Sequence, residues 1–209
     1  FPDTTTNYNH PNIGKAAVTV LEKLGYEVII PDSKCCGRPM LSNGMLDKAK
    51  MNIQANVDTI YPLIKDGSKL VGVEPSCVLG FIEDFGDLIG ESTKVDLISK
   101  NTMLIEQFFL HHLNKYGQIK FSNPPNSQKV LFHGHCHQKS LIGTEPAMQV
   151  LKMIPGLEPE EINLGCCGMA GSFGYYKNHY DVSMGIGEHS LFPAIRDEEI
   201  DTLIVSEGV

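Results

Sequence analysis

The sequence predicts an α/β fold of two tandem repeats, each a small and mainly parallel sheet flanked by helices. The triplet Cys-Cys-Gly occurs twice, at 35–37 and 166–168, so the two copies lie 131 positions apart. Apolar segments of strand length alternate with amphipathic segments of helix length, which is the order typical of parallel α/β sheets. With 209 residues, 42% of them hydrophobic, the chain can form one large domain or two small ones.

The elements of the first repeat can be placed in chain order. Apolar residues recur at helical spacing between Pro11, which favours a helix start, and Gly25, which favours a helix end. Val28–Ile30 is predicted as the strand that leads into the first cysteine pair. Apolar spacing from Leu46 to Ile64 predicts a long helix, which Pro62 is expected to kink or end.

Three segments close the first repeat and join it to the second. Lys69–Val73 is predicted as a strand that leads into Cys77, and Leu104–Leu113 as an amphipathic helix. The polar, proline-containing stretch 121–128 predicts a linker. The predicted domains are therefore residues 1–124, the first repeat, and residues 125–209, a second repeat truncated at its C-terminal end.

The second repeat follows the same plan. Val130–Phe132 is predicted as its first strand, followed by a helix that begins near Pro146 and ends at Gly156. Ile162–Leu164 takes the place of the strand before the second cysteine pair. Thr202–Glu207 matches the last strand of the first repeat after a slip of about two residues.

The composition and the two ends of the chain argue against several classes of protein. A net charge of −8 argues against a nucleic-acid surface, and no apolar run reaches the length of a membrane span. No secretory signal and no nucleotide-binding glycine motif is found. We therefore expect a cytoplasmic protein, or one peripheral to the inner face of a membrane. Because the first strand begins abruptly at Phe1, we also expect a piece of a longer polypeptide.

All six cysteines follow predicted strands. They are Cys35, Cys36, Cys77, Cys136, Cys166 and Cys167. Sites in parallel sheets form beyond the carboxyl ends of the strands, so the sulfurs are expected to gather in pockets. In a reducing compartment, clustered cysteines more often bind metal or take part in redox chemistry than form disulfides.

The doubled triplet and two further segments resemble the cysteine-rich CCG domain family. The segments are Phe132–Ser140 and Gly165–Gly174, and they look most like the C-terminal part of FAD-linked oxidases fused to iron–sulfur modules. The family includes the B subunit of heterodisulfide reductase and the iron–sulfur subunit of glycolate oxidase. The full pattern is one Cys, then Cys-Cys-Gly, then Cys-x-x-Cys.

The resemblance implies an electron-transfer module of a flavin-linked dehydrogenase that oxidises a small hydroxy acid such as lactate or glycolate. The flavin, FAD, is expected on another domain of the same polypeptide or complex. The expected electron acceptor is a quinone or a carrier. By this reading the chain is one domain of an oxidoreductase, with no catalytic residue of its own and incomplete alone.

This sequence departs from the family pattern at several positions. Thr5 stands where a gapless alignment of the repeats places the leading Cys, and Glu74 replaces the first Cys of Cys-x-x-Cys. The second copy lacks its closing cysteines. Neither repeat therefore carries the full ligand set, and a site cut from a longer chain can be empty of metal.

The chemistry of the ligands leaves several alternatives open. The six cysteines are the predicted metal ligands, of an iron–sulfur cluster, expected as 4Fe–4S, in each half or shared by both. Zinc is the alternative in a scaffold domain, with Glu74, His135 or His137 completing four ligands. Arg38 is expected to offset thiolate charge. Thiol–disulfide catalysis and purely structural cysteines remain as further readings.

Overall fold

The computed structural model describes residues 1–117, 119–121, 127–162 and 165–208. The chain divides into two compact units, Phe1–Phe108 and Phe109–Glu207. Each unit combines parallel strands with flanking helices, which confirms the predicted α/β class. The predicted repeat boundary between residues 124 and 125 lies outside the described residues and stays a prediction.

The first unit contains a short parallel sheet. Strands β1 (Leu70–Gly72) and β2 (Thr102–Leu104) pair in parallel. The helices are α1 (Pro11–Lys23), α2 (Arg38–Ser42), α3 (Leu46–Lys65), α4 (Pro75–Val78), α5 (Asp84–Ile89) and α6 (Thr93–Lys100). A π-helical turn, Thr5–Asn9, precedes α1, and a 3-10 turn, Leu79–Phe81, follows α4. Helix α7 (Ile105–Tyr116) begins directly after β2.

Helix α3 organises the core of the first unit. Its buried face packs against β1 and the segments that follow it, through Ile53, Val57, Ile60, Ile64, Leu70, Phe81, Phe85, Val95 and Ile98. Burial of each large apolar side chain stabilises the fold by roughly 1.5–3 kcal/mol. The packed helix is thus a rigid support for the cysteine turn that precedes it.

Two local expectations in the first unit differ from the structure. Helix α3 continues through Pro62 to Lys65, so the proline does not end it. Val28–Ile30 is not a strand, and Ile29 and Ile30 are exposed. Apolar spacing identifies a segment able to form a strand, but a strand also needs a neighbour to pair with, which the spacing does not reveal.

The second unit contains a three-stranded parallel sheet in the order β4-β3-β5. The strands are β3 (Gln128–His133), β4 (Leu157–Glu161) and β5 (Leu203–Ser206). The helices are α8 (Cys136–Leu141), α9 (Glu145–Met153), α10 (Tyr180–Glu188) and α11 (Leu191–Arg196). Two 3-10 turns, Phe173–Tyr175 and Lys177–His179, precede α10.

The central strand β3 explains the position of the second site. Val130, Leu131 and Phe132 are buried, as expected for a strand covered on both faces. The strand ends at His133, and α8 begins three residues later with Cys136. Strand β4 ends at Glu161, before the predicted Ile162–Leu164, of which residues 163–164 lie outside the described residues.

Within the described ranges, no helix combines the length and the apolar character required to cross a membrane.

Candidate functional site

Three cysteines of the first unit come together at one place. The sulfurs of Cys36 and Cys77 lie 2.9 Å apart, although 41 positions separate the two residues. The side chain of Cys35 is in hydrogen-bond contact with that of Cys36. Cys36 is buried, whereas Cys35 and Cys77 are partly exposed. The fold therefore gathers these three predicted ligands, and their binding of metal stays a prediction.

The backbone of the first cysteine turn points two N–H groups at sulfur. The N–H of Gly37 donates to the Cys35 sulfur, and the N–H of Arg38 donates to the Cys36 sulfur. Gly37 has a φ of 94°, a left-handed conformation that glycine adopts without steric cost. The turn thus exposes its amides to the cysteines.

Two of the three thiols, those of Cys35 and Cys36, have a raised pKa. A hydrogen bond with Cys36, together with burial, raises the pKa of the Cys35 thiol far above its usual range. For Cys36, the hydrogen bond with Cys35 lowers the pKa, but contact with Cys77 and burial outweigh it and raise the pKa to about 12. Cys35 and Cys36 are hence neutral thiols near pH 7 unless a cation stabilises the thiolates.

Thr4 is a further residue of this site that the sequence did not single out. Its hydroxyl donates a hydrogen bond to the Cys35 sulfur, which acts to lower the pKa of that thiol. The place of Thr5 at the leading Cys of the family pattern stays a prediction.

Glu74 supports the segment that carries Cys77. Its carboxylate is buried and caps α4, because Oε1 accepts hydrogen bonds from the Ser76 backbone N–H at 3.2 Å and from the Ser76 hydroxyl at 2.7 Å. A side-chain cap of this kind fixes the start of a helix. The structure therefore gives Glu74 a role in shaping the turn around Cys77, and ligation by it stays a prediction.

Arg38 forms an ion pair with a carboxylate. Its Nη2 lies 2.6 Å from Asp84 Oδ2, and both side chains are largely shielded from solvent. Asp84 therefore offsets the guanidinium charge. The backbone N–H of Arg38 donates to the Cys36 sulfur, and the offsetting of thiolate charge by its side chain stays a prediction.

Asn56 is a residue of this site that the sequence did not single out. Its side chain is fully buried on α3, where Oδ1 accepts from the Lys34 backbone N–H at 2.7 Å. Its Nδ2 donates to the carbonyls of Lys34 at 3.1 Å and Cys35 at 3.4 Å. The sequence feature that could have identified Asn56 is its position as a polar residue on the same helix face as the apolar Ile53 and Ile60.

The second unit gathers its own three cysteines. Cys136 begins α8, and its thiol pKa is raised by burial and by the neighbouring Cys166 and Cys167. The N–H of Gly168 donates to the Cys166 sulfur at 3.4 Å, the same bond that Gly37 makes to Cys35. The two turns therefore present their first sulfur to the backbone in the same way.

Tight packing surrounds the second turn. Gly168 has a φ of 89°, and a Cβ atom there would come within 2.1 Å of the Ser183 carbonyl oxygen. The Ser183 hydroxyl donates to the Gly168 carbonyl at 2.9 Å. Ala170 also adopts a positive φ, of 41°. Cys167 packs against the core of Leu131 and Leu191, so this sulfur has one apolar side.

The histidines near Cys136 do not share one face, because β3 ends at His133. Burial, with a contribution from Lys139, lowers the pKa of His133. His135 caps α8: its Nδ1 accepts from the His137 N–H at 3.2 Å, and Gln138 completes a capping box. One ring nitrogen of His135 is thus used by the cap, and metal binding by His135 or His137 stays a prediction.

The distances between the cysteine sulfurs can be compared with the distances that a bound metal ion requires. In the described part of the chain, no group of three or more His, Cys, Asp or Glu side chains is arranged to hold a metal ion. The 2.9 Å between the Cys36 and Cys77 sulfurs is shorter than the roughly 3.8 Å that two thiolates on tetrahedral zinc require. The donor chemistry nevertheless fits, because each unit brings together three thiols, the ligands that iron–sulfur clusters use.

A family model described as CCG, cysteine-rich domain, matches residues 4–81. Among curated proteins, the chain is 28% identical over 206 residues to the C subunit of the anaerobic glycerol-3-phosphate dehydrogenase of Escherichia coli (strain K12), covering 98% of this chain and 51% of that protein. It is 30% identical over 177 residues to lactate utilization protein A 1 of Bacillus mycoides, covering 78% of this chain and 67% of that protein.

A third relative is much longer than this chain. The D-2-hydroxyglutarate dehydrogenase of Pantoea ananatis is 25% identical over 195 residues, which are 93% of this chain and 18% of that protein. The chain thus spans about half the length of the glycerol-3-phosphate dehydrogenase polypeptide and less than a fifth of the hydroxyglutarate enzyme. The comparison with solved structures gave no match.

Proposed function

This chain belongs to the cysteine-rich CCG domain family, and we propose that it is the electron-transfer module of a flavin-linked dehydrogenase. The observation that supports the proposal is that each of the two units brings three cysteine sulfurs together. In each unit three cysteines meet at a Cys-Cys-Gly turn whose glycine N–H donates to the first sulfur. Two such sites on one chain suit a role in moving electrons.

Six cysteines would hold the metal. Cys35, Cys36 and Cys77 would do so in the first unit, and Cys136, Cys166 and Cys167 in the second. An iron–sulfur cluster, for which we propose the 4Fe–4S type, supplies one-electron oxidation and reduction when it is bound. The N–H groups of Gly37, Arg38 and Gly168 orient the sulfurs and favour their thiolate form.

The relatives suggest the partner and the class of substrate. Their names specify dehydrogenases of glycerol-3-phosphate and D-2-hydroxyglutarate and a protein of lactate utilisation. We propose that a flavin domain outside this chain oxidises a small hydroxy acid such as lactate or glycolate. Electrons then pass through this module to a quinone or a carrier. The six free cysteines support a reducing, cytoplasmic location.

A zinc-stabilised scaffold is a second candidate. Two positions of the family's cysteine pattern hold oxygen-bearing residues in the first unit: Thr5 in place of the leading Cys, and Glu74 in place of the first Cys of Cys-x-x-Cys. Zinc accepts mixed sulfur and oxygen ligands, from cysteine and carboxylate, whereas iron–sulfur clusters prefer thiolates. The substitutions thus favour zinc in the first unit more than in the second.

The test is metal reconstitution of the chain under anaerobic conditions. The chain is supplied with iron and sulfide, or with zinc, then desalted and analysed for metal, visible absorption and electron paramagnetic resonance. Bound iron with visible absorption that bleaches on reduction supports electron transfer. Tight zinc binding with no retained iron supports the scaffold.

Serine variants serve as the matched control for reconstitution. Cys36→Ser and Cys166→Ser each remove one thiol from one unit, so each is expected to lower metal retention in that unit alone. Retention of neither metal, by the chain or by a longer polypeptide that contains it, would overturn both candidates.

A further inference from the structure

In each unit, a helix on the C-terminal side of the Cys-Cys-Gly turn, α3 or α10, binds the turn with a polar side chain. We propose that Asn52 and Ser183 are positioning residues for the two cysteine pairs, and that Asn56 adds a second hold in the first unit. The inference rests on the proposed function only for the purpose of the turns, which is to present sulfur ligands to a metal. Its evidence is the hydrogen bonding of the turn backbones.

The first turn is held by α3. Asn56 is fully buried and pairs with both backbone groups of Lys34, at 2.7 Å to the N–H and 3.1 Å to the carbonyl. The Cys35 carbonyl accepts from Asn56 at 3.4 Å and from Asn52 at 3.4 Å. The two asparagines therefore fix the backbone on which the Cys35 sulfur is mounted.

The second turn is held by α10 in a related way. The buried Ser183 donates its hydroxyl hydrogen bond to the Gly168 carbonyl at 2.9 Å. Ser183 lies 131 positions after Asn52, the same separation as the two Cys-Cys-Gly triplets. Both units thus use a polar side chain at one repeat position to bind a carbonyl of the turn, although the residue type differs.

These contacts act on the direction of the sulfurs. The bonded carbonyls belong to Cys35 and Gly168, within the triplets themselves. The same short backbone also directs the N–H of Gly37 to the Cys35 sulfur and the N–H of Gly168 to the Cys166 sulfur. Neither N–H shares a peptide unit with the bonded carbonyl, so release of the carbonyl acts on the N–H through the backbone dihedral angles between them.

The experiment measures the alkylation rate of each cysteine in the metal-free, reduced chain by mass spectrometry of its peptides. Asn56→Ala is expected to change the rates of Cys35 and Cys36 by about tenfold or more, because it removes three hydrogen bonds to the turn backbone, and to change the rate of Cys77 much less. Ser183→Ala removes one hydrogen bond to the turn, and it is expected to change the rates of Cys166 and Cys167 by up to about tenfold and that of Cys136 much less. No metal is needed, so the outcome is independent of cluster binding.

Ile60→Val is the control, because it removes one methyl group from the same helix without touching the turn. A general loss of stability would accelerate all cysteines of a unit together, in proportion to unfolding measured in urea. That pattern, or unchanged rates in both test variants, would overturn the proposal. Asn52→Ala removes only one of the bonds, and it supplies the test for the first unit if Asn56→Ala does not fold.

Discussion

The sulfurs of Cys36 and Cys77 lie 2.9 Å apart and join two segments that enter the site from different elements. Cys36 precedes α2 in the turn that Asn56 braces, and Cys77 lies on α4 just after β1. The contact therefore depends on α3 packing against β1, and so on the core of the first unit. A substitution that loosens this core is expected to change the distance between the two sulfurs before it unfolds the chain.

The short sulfur contact predicts which disulfide forms first in the metal-free first unit. On treatment with a small disulfide such as oxidised glutathione, we expect Cys36 and Cys77 to pair. Their two thiols are oxidised, and the reagent is reduced to two thiols. The sulfurs need to approach by less than about 1 Å to reach the roughly 2.05 Å of a disulfide. Peptide mapping under non-reducing conditions measures the linkage.

Cys35→Ser is the matched control for this oxidation. It leaves the predicted pair intact, so the Cys36–Cys77 linkage should form at a similar rate. Cys77→Ser should abolish it. A dominant linkage between Cys35 and Cys36, or between cysteines of different chains, would contradict the prediction. Iron or zinc bound beforehand is expected to slow the reaction, because ligated thiols are less available to the reagent.

The two turn glycines form a natural pair for measuring steric constraint. Both have a left-handed φ, but a Cβ at position 37 would meet only ordinary contacts at 3.5 Å, whereas a Cβ at position 168 would meet the Ser183 oxygen at 2.1 Å. We expect Gly37→Ala to cost about 1–2 kcal/mol, from backbone strain alone. Gly168→Ala should cost about 3 kcal/mol or more, since it adds overpacking.

Urea unfolding followed by circular dichroism measures both glycine variants. Gly44→Ala is the control, because Gly44 has a φ of 71° with nothing near its added Cβ. Its cost should equal that of Gly37→Ala. Equal costs at positions 37 and 168 would show that the second turn relaxes to accept the methyl group.

The predicted fold class succeeded because helix and strand periodicity reflect local burial. Helix α1 lies between Pro11 and Gly25, and α9 begins at Glu145, close to the predicted Pro146. Val28–Ile30 failed because pairing depends on a distant neighbour. Pro62 does not end α3, because packing of the helix on both sides of the proline outweighs the single lost hydrogen bond, and a kink there stays a prediction.

The site was predictable in its cysteines but less so in its supporting residues. Cys77 follows β1 and Cys136 follows β3, as strand ends predicted, whereas no strand precedes Cys35 and Cys36 in the part of the chain that the structure describes. The roles of Asn56 and Ser183 could not be seen, since each depends on which carbonyl a helix meets in three dimensions. The contact of Thr4 with the Cys35 sulfur could not be seen either, because the two residues lie 31 positions apart in the sequence.

His133 predicts an acid-sensitive second unit. Burial lowers the pKa of His133 below its usual 6.5, and its Nδ1 has no hydrogen-bond partner among the described residues. The unfolded chain therefore binds the proton more readily than the folded chain. The stability from neutral His133 is full above about pH 6.5, and it is lost as the pH falls from there toward the lower folded value.

The change that tests this is His133→Leu, which cannot take up a proton. We expect the urea midpoint of the second unit to fall less between pH 7.5 and pH 5 in this variant than in the parent chain. His189→Gln, an exposed position of the same unit, should leave the pH dependence unchanged. An identical pH dependence in His133→Leu and the parent would assign the acid sensitivity to other groups.

Thr4→Cys should restore a fourth thiol to the first site. The Thr4 hydroxyl already reaches the Cys35 sulfur, so a cysteine there would place its sulfur beside the existing three. Because an added thiolate completes a four-sulfur set, we expect zinc or iron to be held at least about tenfold more tightly against a competing chelator. Thr5→Cys is the matched control, one position further along the π-helical turn. If Thr5→Cys tightens binding and Thr4→Cys does not, the gapless repeat alignment describes the site better than the hydrogen bond at Cys35 does.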